Sequence, residues 1–120
     1  MATYNSFEDL PVWQSTRELG ALVYKTAAEG KLSKDYGLRN QIQRAVVSIM
    51  NNIAEGYERK SDKEFERFLY ISKGSCGEVR SMLYIAHDLK YISKNDQYIC
   101  YNLSVEISKL LSGFIKSLKK

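Results

Sequence analysis

Apolar residues return along the chain at helical spacing, and four stretches carry the pattern. In the first, Val12, Thr16, Leu19, Val23 and Ala27 recur at i, i+4, i+7, i+11 and i+15, one side of a helix. Pro11 stands at the front, where its missing N–H costs nothing, and Gly30 is a terminator beyond the end. The predicted helix covers about residues 11–28, and "KLSKDY" follows as a polar connector. In the second stretch, about 36–58, Leu38, Ile42, Ala45, Val46, Ile49 and Ile53 share a face. Val47, Met50 and Ala54 form a weaker strip beside it. Gln41, Arg44, Ser48, Asn51, Asn52 and Glu55 make the polar remainder.

The third stretch opens on "SDKE", a capping box in which Ser61 accepts from the Glu64 N–H and the glutamate reaches back. Phe65, Phe68, Leu69, Ser72, Cys76, Val79, Leu83 and Ala86 form its core face, and the pattern predicts the longest helix, about 62–90. The fourth follows Ser93, with Asp96 three residues on, and runs over about 94–118. Ile99, Leu103, Ile107, Leu110, Leu111, Phe114 and Leu118 are read as its stripe. Short connectors make successive helices antiparallel neighbours. The expectation is an all-α protein, an up-down-up-down antiparallel four-helix bundle, with residues 1–120 as a single domain. Strand-like alternation, internal repeats and low-complexity segments are absent from the sequence.

Some apolar residues fall outside these stripes. Ile71, Met82, Ile85 and Leu89 lie on a face of the third helix beside its core face, and Tyr98, Tyr101 and Val105 stand off the stripe of the fourth. Gly74 and Gly77 point outward in mid-helix, where glycine costs about 1 kcal/mol relative to alanine. A close-approaching partner backbone would offset that cost. The second apolar face therefore marks an expected oligomer interface at Ile71, Met82, Ile85 and Leu89.

The end of the second helix reads "NNIAEG", an odd choice for a core-forming segment. Asn52 lies just outside the core arc, Glu55 further along the polar stripe, and Gly56 back on the core face. The reading is a structural lock at the turn. Gly56 admits a close neighbour, the Asn52 amide bonds polar groups at the junction, and Glu55 pairs with Arg59 four residues on. The alternative is that Asn52 and Glu55 line a ligand groove.

Charge adds a modest bias. The net charge is +4 and the pI about 9.0, which permits attraction to polyanions without establishing it. Arg44 on the polar stripe, with Arg59, Lys60, Lys63 and Arg67 around the turn, are the candidate phosphate contacts. Glu58, Asp62, Glu64 and Glu66 interleave with them, as in a salt-bridged helix end. No catalytic constellation, phosphate-binding glycine loop or metal-ligand spacing is present, so neither an enzyme nor a cofactor is expected. His87 stands alone, and Cys76 and Cys100 read as small buried hydrophobes. No stretch reaches the ~20 apolar residues of a membrane span, and the N-terminus lacks the pattern of a signal peptide, so a cytoplasmic protein is expected.

"FEDLPVWQ" and "YGLRNQIQRAVVSIMNNIAEGYERKSDKEFERFLYISKGSCGEV", set in four helices, carry a family resemblance. The chain resembles, over about residues 7–118, the bundle proteins encoded by intervening sequences of bacterial 23S rRNA genes. This family is also called S23-like, a label that reflects where some of the genes lie. It is related to the accessory protein of diversity-generating retroelements. The resemblance implies homo-oligomers, with a pentameric barrel favoured. The retroelement relative is basic and binds nucleic acid and a reverse transcriptase. Two readings follow: a non-enzymatic oligomer that binds RNA or other nucleic acid, or an oligomeric scaffold for a protein partner that touches no nucleic acid.

Overall fold

The computed structural model describes residues 4–119. Four long helices account for most of it: α1 (Pro11–Ala27), α2 (Tyr36–Glu58), α3 (Asp62–Asp88) and α4 (Lys94–Leu118). The bundle measures 45 × 20 × 20 Å. Each helix packs on its neighbours in the chain, α4 closes the ring against α1, and the α2–α3 pair is the most extensive.

The starts follow local chemistry. Leu10 precedes α1 without a side-chain cap, because Pro11 at the first position has no N–H to satisfy. The Asp35 carboxylate accepts from the Leu38 N–H at the start of α2. Ser61 accepts from the Glu64 N–H at 3.3 Å and Ser93 from the Asp96 N–H at 3.0 Å. The Glu64 side chain does not close the reciprocal half of the box. It pairs with Arg59 and Arg67 instead. Lys60 and Lys90 take left-handed φ values of 57° and 60° at the two reversals that end α2 and α3. The turn at Lys90 ends α3 at Asp88, two residues short of the expected 90, though its 27 residues still make it the longest helix.

The core of α1 is the predicted stripe, and that of α3 is the predicted face with Ser75 added. In α4 the buried line is Cys100, Ser104, Ile107, Leu111 and Ile115, while Ile99 and Leu110 are exposed. The stripe is rotated relative to the expected one because two of its positions hold small residues. The Ser104 hydroxyl satisfies itself by donating to the Tyr101 carbonyl at 2.7 Å. Two buried leucines lie outside the long helices. Leu10 follows a 3₁₀ turn at Phe7–Asp9, and Leu32 plugs the bundle from a second turn, Leu32–Lys34, inside the segment read as a polar connector.

Polar groups in the core are all paired among the described residues. The Ser72 hydroxyl donates across helices to the Ile49 carbonyl at 2.8 Å, and the Cys76 thiol to the Ser104 carbonyl at 3.0 Å. No described helix is long and apolar enough to cross a membrane.

Candidate functional site

The corner between α2 and α3 is built on a close approach. Gly56 is buried, and a Cβ added there would stand 2.7 Å from Phe68 Cβ and 2.9 Å from Phe65 Cδ1. Phe68 lies flush beneath two guanidinium groups, with Arg59 Cζ 5.0 Å and Arg67 Cζ 4.5 Å from its ring centre. The same arginines are held by carboxylates. Arg59 meets Glu55 at 2.9 Å and Glu64 at 3.7 Å, and Arg67 meets Glu64 at 3.2 Å. The hydrogen bond from Arg67 holds the Glu64 carboxyl below its usual range and raises Arg67 in return. Lys60 rests over the Tyr57 ring at 5.4 Å.

The corner is therefore not a free basic patch. Between positions 55 and 67, four cations (Arg59, Lys60, Lys63, Arg67) face five carboxylates (Glu55, Glu58, Asp62, Glu64, Glu66). Arg44 is not brought to them. It sits on the same helix fifteen residues before Arg59, a separation of roughly 22 Å along the axis.

Arg44 instead lines a groove of about 690 Å³ between the outer sides of α2 and α3, with Gln41, Ser48, Ser75, Glu78 and Met82. Two of its lining residues, Ser48 and Ser75, belong to a relay of small polar groups. The Asn52 amide donates to the Ser48 carbonyl at 2.8 Å and to its hydroxyl at 3.0 Å, and that hydroxyl meets Ser75 Oγ at 2.8 Å. Asn52 thus turns back along its own helix and does not bond at the corner. The junction is held by Gly56 and by the pair Glu55–Arg59.

Ile71, Ile85 and Leu89 stand 41–49% exposed on the outer face of α3, and Met82 is half-buried in the groove beside them. Nothing lies within 4 Å of a Cβ built on Gly74, so no part of the chain itself makes a close approach there.

The opposite side of α3 holds a surface that the sequence reading missed. Tyr70, Lys73, Ser112, Lys116 and Lys119 line a groove of about 260 Å³ between α3 and α4. Lys119 Nζ donates to the Tyr70 hydroxyl at 3.2 Å and comes within 4.0 Å of Glu66. Its ammonium is held above the ordinary lysine range chiefly by Tyr70. Further along, the Tyr84 and Tyr101 rings meet edge to face at 5.5 Å. The signal was present as Tyr70, Lys73, Gly77, Arg80 and Tyr84, which recur at i, i+3, i+7, i+10 and i+14.

Cys76 and Cys100 are free thiols in the core. Burial raises both, and Cys100 reaches about 11. Both therefore stay protonated near neutral pH, unlike an activated nucleophile. No group of three or more metal-ligating side chains occurs among the described residues.

Four antiparallel helices around one apolar core define an all-α helix-bundle protein. The chain belongs to the 23S rRNA-intervening sequence protein family, whose model matches residues 8–113. It is similar to the crystal structure of a protein of unknown function from the S23 ribosomal protein family of Bacteroides thetaiotaomicron VPI-5482. The two are 28% identical with a TM-score of 0.79, over 88% of this chain and 98% of that one. No curated protein matches the chain.

Proposed function

We propose that this protein is a non-enzymatic homo-oligomer that binds nucleic acid through a basic surface. One observation carries the reading. The core of α3 is complete without Ile71, Ile85 and Leu89, yet these residues stand exposed along one side of α3 and its C-terminal cap, with Glu78 between the two isoleucines. Such a side on a small bundle is stabilised when a second copy covers it. A pentamer is the assembly favoured by the family resemblance. The net charge of +4, together with the nucleic-acid binding of the basic retroelement relative, supports RNA as the partner. Repetition around an oligomer multiplies a weak phosphate contact into a useful one.

The test is the mass in solution by light scattering at micromolar protein, followed by titration of a structured RNA at two salt concentrations. The reading expects an oligomer whose RNA affinity falls steeply with salt, because phosphate contacts release counterions. A monomer overturns the assembly. An oligomer that binds no RNA leaves a scaffold for a protein partner.

A further inference from the structure

We propose that the α3–α4 face binds single-stranded nucleic acid, with its cations on the phosphates and its tyrosines against the bases. This rests on the nucleic-acid reading above and gives it a place and a substrate class. The paired charges of the α2–α3 corner offer no net attraction, whereas the α3–α4 face does. Lys73, Arg80, Lys116 and Lys119 lie along it, and its carboxylates stand at the two ends of the α3 line, Glu66 one turn before Tyr70 and Asp88 one turn after Tyr84. Only Glu66 among these is near one of the cations, at 4.0 Å from Lys119.

The aromatic groups stand beside these cations, and Lys119 Nζ lies 5.6 Å from the Tyr70 ring centre. Tyr70 and Tyr84 are each about half exposed, on the same helix face as Lys73 and Arg80. The fourteen residues from Tyr70 to Tyr84 span roughly 21 Å of helix axis. Between them Gly77 carries no side chain, and a Cβ there would meet only the Arg80 guanidinium at 3.7 Å. The face is thus low in the middle and ringed at each end, with its cations between the two terminal carboxylates and along α4. A strand with unpaired bases fits this arrangement, because stacking on tyrosine needs an open base face while lysines follow the backbone. A duplex hides its base faces and would use the cations alone.

Fluorescence anisotropy with a labelled oligouridine and with a duplex RNA of equal length, at low and moderate salt, tests the proposal. The single strand is expected to bind about ten-fold tighter than the duplex. Tyr70→Leu with Tyr84→Leu should weaken the single strand about ten-fold or more with its salt dependence retained. Lys73→Gln with Lys116→Gln should weaken it and flatten that dependence. Lys25→Gln with Lys31→Gln removes the same charge elsewhere and should leave binding within about two-fold of wild type. Far-UV circular dichroism checks that each variant is folded. If losing the Tyr84–Tyr101 contact unfolds the double variant, Tyr70→Leu alone carries the aromatic test. Equal or tighter binding of the duplex, or wild-type binding by a folded tyrosine variant, overturns the α3–α4 assignment and leaves nucleic-acid binding in place. Binding of neither probe at low salt overturns both.

Discussion

Gly56 and Phe68 are so close that a single methyl group on the glycine would stand 2.7 Å from the phenylalanine Cβ. That atom is fixed to the α3 backbone and cannot swing aside, so the two helices would have to part. Gly56→Ala gains about 1 kcal/mol of helix propensity, and the overpacking costs about 1–3 kcal/mol. The substitution is expected to destabilise, and Gly56→Leu to destabilise further, in urea unfolding followed by circular dichroism. An alanine variant more stable than wild type would refute the close approach.

Ser72 and Asn52 should behave differently. Ser72 is fully buried and its hydroxyl joins α3 to the Ile49 carbonyl of α2. Ser72→Ala is expected to cost about 1 kcal/mol or more, because it leaves that cross-helix bond unmade. The Asn52 amide is only half-buried and bonds within its own helix. Asn52→Ala trades that bond for the better helix former, so its midpoint should lie near that of wild type.

Stability should fall at alkaline pH through Cys100. Below about pH 8.5 its thiol is protonated in the folded and unfolded chains alike. Between there and about 11 the unfolded chain releases the proton while the native one keeps it, so the unfolded state gains. The total loss is on the order of 3 kcal/mol. The slope of stability against pH in this window should be shallower in Cys100→Ala than in wild type.

Ile85→Glu places a charge on the exposed side of α3 and replaces none of the buried core residues. Light scattering should report a smaller species than wild type, with unchanged helicity. An assembly of undiminished mass would put the contact on another face.

The helices were legible because each repeats its apolar residues often enough for period to outweigh any one position. In α1 all five predicted positions are buried. The α4 stripe is misphased because size was read as burial: Ile99 and Leu110 drew the line away from Ser104 and Ile115, while Cys100 was read as buried on its own, outside the stripe. Leu10 and Leu32 were missed for another reason, since a lone apolar residue in an irregular segment has no period to betray it. At the corner, the spacing of Glu55 and Arg59 was enough to predict their pairing. The stacking of Arg59 and Arg67 over Phe68 needed the packed structure. The α3–α4 surface needed it too, because half of its residues come from a helix about forty positions further along the chain.

Only Arg59, Lys60 and Ser61 separate α2 from α3, the most heavily packed pair in the bundle. The loop that costs least to close therefore brings together the largest share of the contacts. Amide hydrogen exchange should find its slowest sites in the middle of this hairpin, and α1 should open first. Synthesis runs the other way. The ribosome delivers α1 before either of those helices exists, so Leu19 and Val23 must stay in water until the hairpin behind them has formed.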